Sequence, residues 1–344
     1  MTVAAGSSPI PITVLTGFLG SGKTTVLNRL LEDRALADTL ILINEFGDIG
    51  IDHDLVAPLA DDAVIEMASG CLCCTIRGDL ARTLRDAPWR YARNGRPWFR
   101  RVVLETTGIA DPLPILQTLV GDPDVTGHYL LDRVVTVVDA VHGLDTLERQ
   151  EEARRQVAVA DLLLITKRDV AEAAALNVLT QRLAAINPNA PRRFTEHGCI
   201  EGGSGLLAAA PSLSGRLAAL EAWPVDEHHH DHGDHGHDPN RHGDHIRAVG
   251  LTFDTPIPGP LLDQWLEALL LLRGPDILRV KGIINLAETD RPMVIHGVQH
   301  RFEAPILLPA WPSADRRTRL VFITRDLDGP TLEASLAPFM EACA

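Results

Sequence analysis

Gly17-Phe18-Leu19-Gly20-Ser21-Gly22-Lys23-Thr24 decides the fold of this 344-residue chain. Its spacing, GxxxxGK[ST], is what a backbone needs to wrap a polyphosphate. Glycines allow the amide-inward curvature, Lys23 reaches the β- and γ-phosphates, and the Thr24 hydroxyl can coordinate Mg²⁺. The flanks agree with that reading. Ile10 to Leu15 reads as a short buried strand, and Thr25 to Leu36 carries Val26, Leu27, Leu30 and Leu31 at helical spacing. A loop that joins strand to helix in this way turns the helix N-terminus toward the phosphates. Gly17, Gly20, Ser21, Gly22, Lys23, Thr24 and Thr25 are the expected phosphate and Mg²⁺ contacts, with Lys23 also counted as catalytic.

Beyond the loop, apolar β-rich runs alternate with helical patterns. Strands are expected at Thr39 to Asn44, Val64 to Glu66, Arg101 to Glu105, Arg133 to Asp139 and Leu162 to Thr166. Several are continuously apolar, as strands buried on both faces of a parallel sheet must be. Helices are expected at Gly78 to Asp86, Pro112 to Leu119, Arg149 to Val159 and Glu172 to Ile186. The fold class is α/β, a doubly wound and mostly parallel sheet of P-loop type.

At Asp226 the composition changes. Residues 228–245 hold eight histidines and four aspartates and no large apolar side chain, which cannot pack a core. The expected division is a P-loop domain over residues 1–225, a flexible His/Asp-rich linker over 226–245, and a smaller α+β domain over 246–344. Strands are expected there at Ile246 to Phe253, Leu278 to Leu286, Pro292 to Ile295 and Leu320 to Thr324, with helices at Pro260 to Leu272 and Pro330 to Met340.

Composition narrows the function. A net charge of −14 disfavours nucleic acid and anionic membrane as partners, since both reward clustered Lys and Arg. With no leader-like or membrane-length apolar segment, a cytoplasmic location is expected. Cys71, Cys73 and Cys74, three thiols within four residues, read as soft metal ligands and not as a disulfide framework. A fourth position left open suits a site that releases its metal. Glu66 or His53 could donate a further ligand. His228, His229, His230, His232, His235 and His237 can bind divalent ions weakly as neutral imidazoles.

Later strand ends choose among P-loop activities. Glu105, at the tip of an apolar strand, is where a group near Mg²⁺ belongs, and Gly108 can offer its amide to the γ-phosphate. Thr166-Lys167-Arg168-Asp169 stands where a guanine-reading NKxD element would. A carboxylate at Asp169 accepts from N1 and the exocyclic amino group of guanine, a donor pair that adenine lacks. Lys167 would pack its stem along the base, and Thr166 replaces the usual asparagine. The loop Asn44-Glu45-Phe46-Gly47-Asp48 is a switch candidate, in which Glu45 or Asp48 could orient water or touch the metal ion.

Gly17 to Thr25, Asn44 to Asp52 (NEFGDIGID), Gly70 to Cys74 (GCLCC), Glu105 to Pro112 (ETTGIADP) and Thr166 to Asp169 together resemble the CobW family of metal-handling GTPases. The histidine-rich linker and Arg279-Val280-Lys281-Gly282 extend the resemblance over nearly the whole chain. It implies GTP hydrolysis, a metal site at the cysteine motif, and delivery of zinc, cobalt or another metal to a client metalloprotein or a cobalamin-pathway component. Two rivals stand beside it, a non-catalytic metal buffer and a P-loop kinase for a small metabolite.

Overall fold

The computed structural model describes residues 9–31, 38–44, 64–67, 74–201 and 246–341. The expectations at Glu45, Asp48, His53, Cys71, Cys73 and the histidines of 228–245 lie outside the described residues, as do the side chains of Glu66 and Cys74.

Continuously apolar segments make the middle of an eight-stranded sheet. In chain order this part of the chain forms β1 (Ile10–Gly17), α1 (Lys23–Leu31), β2 (Thr39–Asn44), β3 (Val64–Met67), α2 (Cys74–Arg90), a separate two-stranded hairpin β4 (Ala92–Arg93) and β5 (Arg96–Pro97), and β6 (Arg101–Thr106). There follow α3 (Leu113–Gly121), α4 (Pro123–Thr126), β7 (Tyr129–Asp139), α5 (Gly143–Arg149), α6 (Glu151–Ala158), β8 (Leu162–Thr166), α7 (Ala173–Ile186), β9 (Arg192–Glu196) and β10 (Cys199–Ile200). The strand order is β10-β9-β8-β7-β1-β6-β2-β3, and only β10 runs antiparallel to its neighbour.

Alternation along one strand explains why helices cover both faces. Val135 and Val137 of β7 pack with Val26 and Leu27 of α1, whereas Val134 and Val138 pack with Leu116 of α3 and Val157 of α6. Successive side chains of a strand point to opposite faces, so a run of buried valines requires a core on each side.

The second sheet is antiparallel. It contains β11 (Ile246–Phe253), β12 (Ile277–Ile284), β13 (Met293–Val298), β14 (Arg301–Phe302), β15 (Ile306–Leu307) and β16 (Thr318–Arg325), in the order β11-β16-β12-β13-β14 with β15 on β13. Its helices α8 (Gly259–Arg273) and α9 (Gly329–Glu341) enclose a core of Trp265, Phe322 and Leu332. The Trp265 indole donates to Ser335 Oγ at 2.9 Å, so this buried ring keeps its polar atom satisfied. Ile246, Leu278, Val298, Val321 and Ile323 join the core of the first sheet, which makes the contact between the two sheets a true apolar interface.

One acid fastens that seam. Asp161, just before β8, takes both carboxylate oxygens to Arg279 Nη2 at 2.9 and 2.7 Å and also pairs with Lys281 Nζ. Arg279 Nη1 donates in addition to the Val159 carbonyl at the end of α6. Arg279 and Lys281 are neighbours on one face of β12, and Val280 between them points into the other core.

Three of the structure's departures from the pattern-based expectations have a clear physical cause. The helix expected over Arg149 to Val159 is two, because Gln150 is extended (φ −115, ψ 116) and closes α5 with its N–H on Thr146 O before α6 begins. β7 starts four residues earlier than expected, at Tyr129, since Tyr129 and Leu131 are buried; Asp132 and Arg133, paired at 2.8 Å, disguised the run as a polar turn. β9 and β10 were absent from the expectation because Arg192-Arg193-Phe194-Thr195-Glu196 reads as a polar connection, its strand character residing in main-chain pairing to β8.

Candidate nucleotide site

Four parallel strands end at one edge of the first sheet, at Gly17, Thr106, Asp139 and Thr166. β1 lies between β6 and β7, while the chain leaving it crosses β6 to form β2. Such a reversal of strand order opens a crevice at the carboxyl ends of the strands, where α/β sheets bind ligands.

The phosphate loop is braced by its own lysine. Lys23 Nζ, largely buried, donates to Gly17 O at 2.9 Å and to Phe18 O at 3.3 Å across the loop. Gly22 takes φ 94, a left-handed conformation that a side chain would strain, and α1 starts at the next residue. The orphan N–H groups of α1 thus open into the crevice.

Around the loop, β6 supplies the acid. Thr24 Oγ1 lies 3.5 Å from Glu105 Oε1, and Glu105 is buried. Beneath them Thr106 Oγ1 donates to Thr16 Oγ1 at 2.8 Å and fixes β6 against β1. A hydroxyl and a carboxylate this close are hard oxygen donors that fit Mg²⁺. Gly108 approaches the loop from the far side: a methyl group there would lie 2.6 Å from Leu19 N and 2.8 Å from Leu19 Cα, so only glycine permits the contact.

The TKRD segment is bonded to the same loop. Thr166 Oγ1 donates to Ser21 O at 2.7 Å, with Val138 O at 3.3 Å. The threonine in place of asparagine therefore still ties the strand end to the phosphate loop. Lys167 is left-handed (φ 56), which swings its side chain back so that Nζ donates to Gly20 O at 2.8 Å and to Asp139 Oδ2 at 2.7 Å. Asp169 sits in a single 3-10 turn, Arg168–Val170, and is exposed. The Arg168 guanidinium carbon lies 4.5 Å from the Phe194 ring centroid, holding that turn against β9. Thr25 is exposed on the first turn of α1.

Gly17, Gly20, Ser21, Gly22, Lys23, Thr24, Glu105, Gly108, Thr166 and Lys167 are thus gathered at one edge. Two further residues belong with them. Asp139 holds Lys167 and accepts from the Val141 and His142 amides at 2.7 and 3.3 Å. Its signal was an acid ending an apolar run. Gln156 bonds the loop after β6; it shares a helical stripe with the buried Ala153 and Val157, although its arginine neighbours made it look solvated. No group of three His, Cys, Asp or Glu suited to a metal ion occurs among the described residues. No helix among them is long and apolar enough to cross a membrane.

Two family profiles match this arrangement: the CobW/HypB/UreG nucleotide-binding domain over residues 11–193, and the C-terminal domain of the cobalamin synthesis protein cobW over residues 246–340. The chain belongs to the CobW family. Among characterised relatives, this CobW-family chain is 32% identical over 330 residues to the zinc chaperone YjiA of Escherichia coli K12, covering 96% of this chain and 98% of that one. It is 28% identical to the zinc chaperone CobW of a Sinorhizobium species, over 97% of this chain and 98% of the relative. The crystal structure of Zn(II)-bound YjiA GTPase from E. coli superposes with a TM-score of 0.65 at 26% identity, covering 97% of this chain and 99% of the other.

Proposed function

We propose that the chain is a GTP-dependent metallochaperone that carries zinc and couples its capture and release to the bound nucleotide. One observation bears most of the weight: the strand leading to the cysteine motif ends on the same sheet edge as the nucleotide residues. β3 stops at Met67, in register with Asn44, which is itself in register with Thr106 beside Glu105. Two strand spacings separate β3 from β6, about 10 Å. The segment containing Cys71 and Cys73 returns to described chain at Cys74, the first residue of α2. The chain that carries the cysteine motif thus leaves the sheet at the same edge as the loop after β6, which supports a link between metal and nucleotide.

In this reading the phosphate-loop amides and Lys23 hold the triphosphate, Thr24 and Glu105 would hold Mg²⁺, whose contribution would be to neutralise phosphate charge, and Gly108 senses the γ-phosphate. Asp169 reads guanine while Lys167 flanks the base. Cys71, Cys73 and Cys74 hold the cargo. The 228–245 tract gathers ions for them, as an accessory between the two folded units. The naming of relatives as zinc chaperones favours zinc over cobalt as cargo, and a client metalloprotein is the recipient.

Coupling of this kind is measurable. A hundredfold tighter zinc affinity in the GTP state corresponds to about 2.7 kcal/mol, and reciprocity requires zinc to tighten GTP by the same factor. Competition titrations at buffered free zinc, with GDP or a non-hydrolysable GTP analogue present, are expected to show that ratio. Equal zinc affinities in the two states would remove the switch and leave a metal buffer.

Base recognition has its own test. In Asp169→Asn one acceptor becomes a donor, which mismatches the guanine amino group and matches the 2-oxo group of xanthine. GTP affinity is expected to fall at least about 100-fold while xanthosine triphosphate binding rises. Unchanged GTP binding would place base reading elsewhere.

A further inference from the structure

Gln156 lies in the most charged stretch of α6, yet only 1% of it is exposed. Its Nε2 donates at 3.1 Å to Gly108 O and at 3.1 Å to Ala110 O, the two carbonyls that bracket Ile109 in the loop after β6. An amide nitrogen has two hydrogens, and both are used here.

Gly108 is consequently held from two sides. Leu19 of the phosphate loop abuts its Cα, and Gln156 draws its carbonyl the other way. The orientation matters electrostatically. A carbonyl turned toward the phosphates repels them, whereas a peptide N–H attracts them. By collecting both carbonyls, one side chain keeps the acceptor face of the loop off the triphosphate.

The helix that carries Gln156 is itself anchored. Arg155 Nη1 reaches Asp111 Oδ2, one residue beyond Ala110, at 2.5 Å, and its Nη2 reaches Glu151 Oε1 at 2.5 Å. Glu151 in turn lies 3.6 Å from Arg325 Nη1 on β16, and the Val159 carbonyl at the other end of α6 is taken by Arg279. Both ends of α6 thus rest on the C-terminal domain, while its inner face holds the loop.

We propose that Gln156 is a positioning residue for GTP hydrolysis, fixing the Gly108 loop so that its amide and not its carbonyl faces the γ-phosphate. Gln156 does not touch the nucleotide. The assignment rests on Gly108 as the γ-phosphate contact, and the test separates the two.

Gln156→Glu keeps the shape but sets a carboxylate against two carbonyls; Gln156→Met removes both donors without adding charge. In each, kcat for GTP is expected to fall about 10- to 100-fold, while GDP affinity, which involves no γ-phosphate, stays within about twofold. Burial raises the pKa of a carboxyl group, and the carboxyl introduced by Gln156→Glu can donate again once it is protonated. The rate deficit of Gln156→Glu is therefore expected to shrink as the pH is lowered, relative to Gln156→Met, which has no proton to regain. An undiminished kcat overturns the proposal. So does a parallel loss of kcat, GDP affinity and Tm in both variants, which would make Gln156 a packing residue. An amide-to-ester replacement at Gly108, which removes its N–H without adding a Cβ against Leu19, separates the premises: turnover retained there removes the γ-phosphate contact itself, whereas turnover lost there but kept in both Gln156 variants removes only the role of Gln156.

Discussion

Lys23→Ala is expected to lower GTP turnover at least about 10²- to 10³-fold, the scale for losing one preorganised charge contact in a phosphoryl-transfer site. Two roles, one proposed and one seen in the structure, argue for an effect at the upper end. On the proposed reading the ammonium group would supply charge to the β- and γ-phosphates, and in the structure it spans the loop by bonding Gly17 O and Phe18 O. Alanine removes both functions together. Lys23→Arg is not expected to restore activity, because a largely buried position shaped for a compact ammonium has no room for a planar guanidinium. Phosphate release under saturating GTP measures the loss, and zinc capacity in the same variant separates enzyme from buffer. A chain that only stores metal would lose nothing in either assay.

Asp161→Ala is expected to cost about 3–5 kcal/mol of stability, measured by urea unfolding, because it strands two cations in the seam between the sheets. Arg279, 9% exposed at its side chain, and Lys281, 23% exposed, would keep their charge without the carboxylate that neutralises it. The Val134 amide, which donates to Asp161 Oδ2 at 2.8 Å, would lose its acceptor too. The exposed pair Asp145 and Arg149 is the matched control; Asp145→Ala is expected to cost no more than about 0.5 kcal/mol.

The same acid predicts a pH dependence. Burial on its own would raise the Asp161 pKa, but the adjacent Arg279 and Lys281 charges overcome that and hold it far below the usual carboxylate range. A depressed pKa means that the unfolded chain takes up this proton first. The contribution of Asp161 is complete above about pH 5, begins to fall as the pH drops through about 4, and is lost only below the folded-state pKa. The stability of the wild-type chain should therefore fall below about pH 4 more steeply than that of Asp161→Ala.

Much of the first sheet was legible because its strands are apolar on both faces and its loops carry residues with one mechanical use. GxxxxGKT between a strand and a helix could be placed without a structure. So could Glu105 and Thr166, each ending a run of buried aliphatics. What escaped was polar chemistry facing inward. Gln156 and Asp161 flank an ordinary Val-Ala-Val-Ala stretch, and their roles come from carbonyls and cations far along the chain: Gly108, Ala110, Arg279 and Lys281. Spacing within one element does not record such partners. Arg279 and Lys281 were visible as a motif, yet their partner, Asp161, lies 118 and 120 residues away in sequence.

The bonds from Thr166 to Ser21 and from Lys167 to Gly20 carry one more implication. They join the turn that carries Asp169 directly to the loop of Gly20 and Ser21. If Asp169 reads the base as proposed, a base that tilts this turn would pull on Gly20 and Ser21 as well. A mismatched nucleotide would then be expected to lose turnover in addition to affinity, which kcat and Kd measured separately would show.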